Sequence, residues 1–350
     1  MSEKPTSSTY PVTDFRNLSS PIIDVRSPCE FSQGHWPGSI NIPLFSDQER
    51  EIIGKSYKKE SRLKAIFNGL KIILPNTPKL KGILLKTTPK KNGQNKSLRI
   101  YCWRGGMRSR AFAWLARTIG IETHLLEGGY KNYRKWVINQ FESDLPIRLI
   151  GGKTGTRKTD LLNHINSEKI HVIDLEALAN HRGSSFGSLG MNTQPSTQQF
   201  ENILAESINE FHSNNAVEIW IEAESASLGR CRVPNSLYKK MKMAPILEII
   251  KTKNERVNNL VKVYSQKPQN ELKEAVNRIS KRLGPQRTNE ALEAIEKKEW
   301  ANACKAMLDY YDKCYEYELK KSKNITSIDL RGVDLKLSLI KILNEKVNPL

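Results

Sequence analysis

The sequence has no long hydrophobic run and few cysteines. No apolar stretch approaches the roughly 20 residues that a membrane-spanning helix needs, and the opening MSEKPTSSTYPVTDF lacks the apolar core of a signal peptide. The five cysteines form neither CxxC pairs nor Cys/His clusters, which argues against a zinc motif and a disulfide framework. We therefore expect a soluble, cytoplasmic protein without membrane association, in which a single reduced thiol can serve as a nucleophile.

Acidic residues are in the minority. The chain has 56 Lys and Arg against 37 Asp and Glu, which gives a net charge of +19. Such an excess attracts polyanions, and nucleic acid is the commonest polyanionic partner of a basic protein. A basic but merely solvated surface is the alternative reading, and charge alone favours nucleic acid only slightly.

The chain is longer than one typical domain, and we expect two, over residues 1–140 and 141–350. In the first, short apolar runs are typical of buried strands, and apolar residues at helical spacing after Arg108 predict a helix. The predicted strands are 21–26, 39–44 and 98–103. Alternating strands and helices predict an α/β domain with a mainly parallel sheet.

The second domain repeats this alternation. LPIRLIGG is an apolar strand that enters a glycine-rich loop, and HVIDL and AVEIWIEAES are further strands. From Ala244 onward the pattern is largely helical and strongly charged. Two stretches of the first domain are less regular: residues 47–74 predict a helix, and the Lys-, Pro- and Gly-rich stretch 79–97 predicts an exposed loop.

The most informative segment is CWRGGMRS, which begins at Cys102 at the end of a predicted strand. Gly105 and Gly106 permit a tight loop whose N–H groups converge on an anion, and the helix that follows adds positive potential. Arg104 and Arg108 strengthen this field, which activates the thiol as a nucleophile. We also expect Ser109 to cap the helix, and Trp103 either to stack on the substrate or to cover the core.

A second glycine-rich loop, GKTGTRKT, follows the strand LPIRLIGG and closely matches GxxxxGK[ST]. In this motif the loop holds phosphates, the lysine reaches the terminal phosphate and the hydroxyl binds magnesium. The residues assigned to a phosphate or nucleotide site are Gly152, Thr154, Gly155, Lys158 and Thr159. Arg157 occupies the place of the second glycine, so the sequence leaves open whether the loop binds nucleotide, pyrophosphate or neither.

Carboxylates end the predicted strands beside this loop. Glu222 is the candidate ligand for Mg²⁺, with Asp174 and Glu224 nearby, although pairing with arginine is an alternative role. The Gly- and Ser-rich segment NHRGSSFGSLG, 180–190, contains His181 and Arg182 as candidates for contacting substrate.

These segments together resemble known families. PIIDVRSPCEFSQGHWPGSINIPL followed by CWRGGMRS resembles a rhodanese domain. CWRGGMRSRAFAWL, LLEGGYKNYRKWV and DLEALANHRGSSFG resemble the tRNA 2-selenouridine synthases, in which a rhodanese domain is fused to a P-loop domain. The implied fold is a rhodanese-like parallel-sheet domain, then a P-loop α/β domain with a helical C-terminal region.

The resemblance implies replacement of the sulfur of wobble 2-thiouridine in tRNA by selenium from selenophosphate, in some cases through a geranylated intermediate. Cys102 would carry selenium as a perselenide, with Arg104 and Arg108 as partners of the phosphate. Selenophosphate and geranyl diphosphate are then substrates and tRNA is the partner, with no tightly bound cofactor or protein partner indicated. The alternatives are a sulfurtransferase, a cysteine-loop phosphatase, and a tRNA-binding adaptor without catalysis.

Overall fold

The structure, a computed structural model, describes residues 7–88, 96–165, 169–322 and 324–344. The chain divides into two compact units, Met1–Gln140 and Phe141–Leu350. Each unit contains one five-stranded sheet in which all paired strands are parallel. Within the described ranges, no helix has both the length and the apolar character that crossing a membrane requires.

The first unit and the helix that leaves it contain β1 (Ser7–Tyr10), α1 (Val12–Asn17), β2 (Ile22–Asp24), α2 (Pro28–Gln33), β3 (Ile40–Asn41), α3 (Asp47–Lys59), α4 (Arg62–Thr87), β4 (Ser97–Tyr101), α5 (Met107–Arg117), β5 (Glu122–Leu126) and α6 (Gly129–Glu142). The strand order is β1-β5-β4-β2-β3, so β4 is central. Its core side chains Leu98 and Ile100 are fully buried together with Ile23 and Phe112. The predicted parallel α/β fold is confirmed.

Two parts of this unit differ from the sequence prediction. β1 was not predicted, because it is a largely exposed edge strand whose sequence SSTY has no apolar pattern. Residues 79–87 form the end of α4 instead of an exposed loop, and Leu80 and Leu84 are buried there. The lysines of this segment concealed two core residues at helical spacing. Residues 89–95 of the predicted loop lie outside the described residues.

The second unit contains β6 (Ile147–Gly152), α7 (Lys158–His164), β7 (Ile170–Ile173), α8 (Leu175–Ala179), α9 (Thr197–Ser213), β8 (Glu218–Glu222), β9 (Ser227–Leu228), β10 (Cys231–Arg232), α10 (Asn235–Met243), β11 (Ile246–Ile250), α11 (Lys253–Tyr264), α12 (Gln269–Leu283), α13 (Pro285–Glu296), α14 (Trp300–Leu319), β12 (Ile325–Asp329) and α15 (Leu335–Asn344). β9 and β10 form a short antiparallel pair. The five-stranded sheet has the order β12-β11-β6-β8-β7.

The sheet of the second unit places β6, the strand before the second glycine loop, at its centre. The segment after Ala244 is largely helical as predicted, but it also supplies β11 and β12, which the sequence reading missed. Helices α12, α13 and α14 pack on one another through a separate apolar cluster that includes Val276, Ala291 and Ala303. Since ligands bind where parallel strands end and connections diverge to either side, the ends of β4 and β6 are the candidate ligand sites.

Candidate functional site

Cys102 directly follows β4, and its side chain is buried, with 3% exposed. α5 begins at Met107, and Cys102 Sγ lies 3.4 Å from the Oγ of Ser109 in the first turn of that helix. The thiol therefore lies at the positive end of a helix, a position that stabilises an anion bound there. Ser109 does not cap α5 as predicted: Gly106 is the N-cap residue, and the Ser109 hydroxyl donates to the Gly106 carbonyl at 3.1 Å.

The backbone of the cysteine loop packs against the turn that follows β5. Gly129 has a φ of +60°, and a Cβ atom there would lie 2.3 Å from the Cys102 carbonyl oxygen and 2.4 Å from the Gly105 nitrogen. The Tyr130 N–H donates to that same carbonyl at 2.8 Å. Only glycine allows both this backbone conformation and this close approach. The packing of this turn against the Cys102 carbonyl therefore fixes the position of the Cys102 backbone.

The two predicted arginines differ in their surroundings. Arg108 donates to Glu30 at 2.6 Å, and this pair is largely shielded from solvent. Burial raises the pKa of Glu30, but the hydrogen bond and charge of Arg108 outweigh it, so that the pKa lies below its ordinary value. The exposed Arg104 has no ion-pair partner among the residues that the structure describes. Arg104 is thus available to an incoming anion, whereas Glu30 fixes and partly neutralises Arg108.

Trp103 forms an aromatic surface beside Cys102, with 37% of the residue exposed. A buried guanidinium lies beneath it: Arg26 is 5.9 Å from the Trp103 ring centroid and 3.8 Å from that of Tyr130. Arg26 is held by Asp24 at 2.5 Å, and both side chains are fully buried. These contacts fix the aromatic residues next to the thiol, where an exposed ring face can stack on a base.

In the second unit, β6 leads through the glycine-rich loop into α7, as predicted. The Lys158 Nζ lies 3.2 Å from Glu222 Oε1, and the Thr159 hydroxyl donates to Glu222 Oε2 at 2.9 Å. Burial lowers the pKa of Lys158, but the charges of Glu222 and Glu224 outweigh it and hold the pKa above its ordinary value. The predicted Lys158, Thr159 and Glu222 therefore meet at one point between β6 and β8.

Arg157 adopts the left-handed conformation, with φ 64° and ψ 38°, immediately before α7. A glycine at this position of the motif adopts that conformation without strain, whereas an arginine does so at a cost. Its Nε donates to Asp160 Oδ2 at 2.5 Å, one turn along the helix. The side chain is thus paired on the surface of α7.

Three carboxylates, those of Glu176, Glu222 and Glu224, meet beside Lys158. Each offers an oxygen, and these oxygens lie within 4.8 Å of one another. Burial, followed by the charges of Glu222 and Glu224, raises the pKa of Glu176 to about 9. Burial, followed by the charge of Glu222, raises the pKa of Glu224 to about 7. Negative charge at this cluster is therefore only partly compensated by Lys158.

This donor set fits Mg²⁺. Carboxylate and hydroxyl oxygens are the ligands that this ion prefers, and a divalent charge would offset the repulsion that raises the two pKa values. Glu176 was not identified from the sequence, because it lies inside the first turn of α8 instead of at a strand end. Asp174 caps that helix by accepting from the Ala177 N–H at 2.8 Å, so its position is structural.

The 180–190 segment lies against these carboxylates. A Cβ atom on Gly183 would lie 2.5 Å from Glu224 Oε2 and 3.2 Å from Glu176 Oε1. His181 is buried, and burial lowers its pKa. Arg182 donates to the Leu189 carbonyl at 3.4 Å, within the same segment. The segment that contains His181 and Arg182 thus lies beside the carboxylates that face Lys158, whereas Trp103, Gly105 and Gly106 belong to the loop that begins at Cys102.

Side chains of α11, one of them paired with α14, form hydrogen bonds to the backbone of the phosphate loop. Arg256 forms two hydrogen bonds with Asp312, at 2.7 and 2.8 Å, and donates to the Thr154 carbonyl at 3.3 Å. Asn259 donates to the Gly155 carbonyl at 2.9 Å. These three bracing residues were missed, because they lie about a hundred residues or more from the loop in sequence and form no local motif.

Two family models match the chain. The model described as the tRNA 2-selenouridine synthase AAA domain matches residues 145–334, and that of the rhodanese-like domain matches residues 12–135. Each match contains one of the two glycine loops described above.

Curated relatives extend over nearly the whole chain. A tRNA 2-selenouridine synthase of Marinobacter nauticus is 32% identical, over 89% of this chain and 92% of the relative. A protein of the same name from a Sulfurovum species is 32% identical over 95% of this chain and 96% of its own length. One from Psychromonas ingrahamii is 33% identical over 90% and 92%. The similarity therefore includes both units.

Proposed function

The chain belongs to the tRNA 2-selenouridine synthase family and is an enzyme, and we propose that it replaces the sulfur of wobble 2-thiouridine in tRNA with selenium from selenophosphate, which Cys102 carries. The observation that carries this proposal is the buried thiol at the start of α5, beside the surface residue Arg104, which has no ion-pair partner in the part of the chain that the structure describes. Such a site suits a nucleophile that handles an anionic donor.

The residues around Cys102 have separate roles in this proposal. Arg104 receives the phosphate group of the donor, because its guanidinium has no competing carboxylate among the described residues. The Glu30–Arg108 pair fixes the start of α5, and Gly129 fixes the loop backbone. Trp103 offers its exposed face to the base that receives selenium.

The steps that place selenium on Cys102 must also balance in electrons. Direct attack of a thiolate on the selenium of selenophosphate would leave the Se–P electron pair on phosphorus and release phosphite. In the redox-neutral route, hydrolysis releases selenide and phosphate, and selenide displaces a small thiol from a mixed disulfide at Cys102, giving the perselenide. After the perselenide attacks C2 of the base, a thiol cleaves the S–Se bond, leaving selenium on the base and restoring the mixed disulfide.

The second unit supplies a better leaving group at C2. Transfer of a geranyl group from geranyl diphosphate to the sulfur of 2-thiouridine breaks a C–O bond, forms a C–S bond and releases diphosphate. Lys158 and the backbone of the loop would hold that diphosphate. Glu176, Glu222, Glu224 and Thr159 would hold Mg²⁺, which would neutralise the charge of the leaving diphosphate. Geranyl thiol then leaves C2 when selenium attacks.

The proposed partner is tRNA, and the net charge of +19 supports this. Lys and Arg are frequent on the surface helices α11 to α14 of the second unit, where they can contact phosphates. Binding that releases counterions weakens steeply as salt is raised.

Mass spectrometry of tRNA nucleosides tests the function. Wild-type protein incubated with thiolated tRNA, selenophosphate, geranyl diphosphate, a small thiol and the disulfide of that thiol, which forms the mixed disulfide at Cys102, should yield 2-selenouridine, and Cys102→Ser should yield none. Cys29→Ser is the matched control, because Cys29 is an exposed thiol outside the loop. If Cys102→Ser forms selenouridine at the wild-type rate, Cys102 is not the carrier. Turnover of thiosulfate or a phosphate ester with unchanged tRNA would favour the sulfurtransferase or phosphatase instead.

A further inference from the structure

Helix α4 has a second apolar face that none of the roles above uses. Its first face packs on the core through Ala65, Gly69, Leu80 and Leu84, which are buried. On the opposite side of the helix, four large apolar side chains are exposed by 47% to 79%, and we call them the α4 stripe: Leu63, Phe67, Leu70 and Leu74. Single exposed apolar residues are ordinary, whereas a contiguous row of them marks an interaction surface.

The spacing of the α4 stripe is that of a coiled-coil seam. Its members follow one another at intervals of four, three and four positions, which are the intervals between the a and d positions of a heptad. At 3.6 residues per turn they lie within a sector of about 60° and extend over roughly 16 Å of the helix. An apolar face that covers a broad surface is typically more than about 100° wide, whereas a narrow stripe is the seam between paired helices.

Contacts on the other side of α4 hold the helix in place. Asn68 donates to the Ser56 hydroxyl of α3 at 3.1 Å. A Cβ atom on Gly69 would lie 3.4 Å from Phe45 Cζ and 4.0 Å from Ile53 Cδ1, so α4 packs closely on α3 and on the residues before it. Rotation of α4 to bury the stripe would break these contacts. The stripe is therefore available to a partner.

The charge around the α4 stripe has one sign. The 26 residues of α4 include six Lys or Arg and no Asp or Glu. Lys64 and Lys71 occupy the heptad positions that flank a seam and select its partner by charge. Lys64 pairs with Glu60 at 3.3 Å on the surface, where such a pair is weak, and the Lys71 ammonium lies 4.5 Å from the ring centroid of Phe67. A partner with carboxylates beside its own apolar residues is complementary to this face.

From this pattern we infer that the α4 stripe docks an acidic amphipathic helix of a partner protein, with apolar residues at the same spacing and carboxylates facing Lys64 and Lys71. A second copy of this chain would instead bring its own basic α4, and like charges repel. RNA stacks on aromatic rings, but the stripe has one aromatic residue among three leucines. The inference is independent of Cys102 and of the phosphate loop.

Fluorescence anisotropy of two synthetic helical peptides with the full chain tests it. Each peptide has about four heptads with leucine at a and d, and one carries glutamate at e and g while the other carries lysine, so that neither pairs with itself. Wild type should bind the glutamate peptide at least ~10-fold more tightly than the lysine peptide, and salt should reduce this preference. Leu70→Glu, which puts a carboxylate in the stripe, should abolish binding of the glutamate peptide. Val263→Glu is the matched control, because Val263 is an exposed residue of α11 in the second unit, and it should bind as wild type does.

Exchange of the flanking charges tests the selection of the partner. The double variant Lys64→Glu and Lys71→Glu should prefer the lysine peptide. Equal binding of both peptides by wild type, binding of neither, or unchanged binding by Leu70→Glu overturns the inference. A dimer in sedimentation velocity that Leu70→Glu dissociates, or binding of phosphatidylglycerol vesicles or tRNA that Leu70→Glu abolishes, also overturns it, because the stripe then serves another occupant. If circular dichroism shows that Leu70→Glu is unfolded, Phe67→Ala combined with Leu70→Ala decides the question.

Discussion

Replacing Arg157 with glycine should stabilise the second unit. Arg157 is held at φ 64° and ψ 38°, and the left-handed conformation costs a residue with a Cβ atom about 1–2 kcal/mol. Glycine removes that cost but loses more backbone entropy on folding, by about 0.5–1 kcal/mol relative to alanine. The subtraction leaves a conformational gain of between zero and about 1.5 kcal/mol, centred on about 0.5–1 kcal/mol, before the loss of the ion pair with Asp160 is counted.

Arg157→Ala is the control that isolates the backbone. It removes the ion pair with Asp160 but keeps a Cβ atom in the left-handed conformation. That pair is about half exposed, at 44% and 49%, so it contributes between zero and about 1 kcal/mol. The difference between the glycine and alanine variants then measures the conformational cost alone, about 0.5–1 kcal/mol in favour of glycine.

Hydrogen exchange followed by mass spectrometry resolves this unit within the full chain. Amides of the buried strands β6 and β8 exchange slowly, through large-scale opening, and should exchange about two- to fivefold more slowly in Arg157→Gly than in Arg157→Ala. Equal rates, or faster exchange in the glycine variant, would refute the argument. Because the guanidinium pairs with Asp160, we also expect both variants to keep the pyrophosphate Kd within about threefold of wild type. A larger loss would show that Arg157 contacts the phosphates.

Two further changes test the remaining geometry. Gly129→Ala should lower selenouridine formation by at least ~100-fold, because the new Cβ would displace the Cys102 carbonyl, while Gly120→Ala, whose Cβ would meet no neighbouring atom within 4 Å, should keep the activity. A similar loss in both variants would contradict this account. Glu176→Gln should remove a pH dependence: the pKa of Glu176 is raised from 4.5 to about 9, so the folded state binds the proton more tightly and wild-type stability falls as pH rises through that window. Relative to Glu176→Gln, urea unfolding of wild type should show a loss of up to ~1.4 kcal/mol per pH unit, and parallel pH profiles would contradict the assigned cause.

The cysteine loop and the phosphate loop could be located from the sequence because their information is local. A strand pattern, glycines at a tight turn and the start of a helix are all contained within about ten consecutive residues. The same local patterns predicted two parallel α/β sheets, and the structure confirms this fold. The dependence on local pattern also explains the two wrong predictions. β1 is an exposed edge strand without an apolar pattern, and the lysines at the end of α4 obscure the two core leucines there.

The electrostatic partners of each loop depended on the tertiary structure. The residues near Arg108 in the sequence do not indicate that Glu30 pairs with it, because the two residues are 78 positions apart. Glu176 joins Glu222 and Glu224 only because the ends of β7 and β8 lie at the same edge of one sheet. The sequence placed Glu222 beside the phosphate loop, but it did not reveal a three-carboxylate site.

By itself, then, the sequence determined which residues form the two loops and that Cys102 lies at the end of a strand before a helix. It also showed that Arg157 replaces a glycine, but only the structure revealed the left-handed backbone and the turn of its side chain toward Asp160. The three-carboxylate cluster beside Lys158 was likewise decided by folding, because its members come from α8, from the end of β8 and from the residues after that strand. Periodicity and turn chemistry specify local backbone, whereas cavities and charge pairs depend on which distant elements pack together.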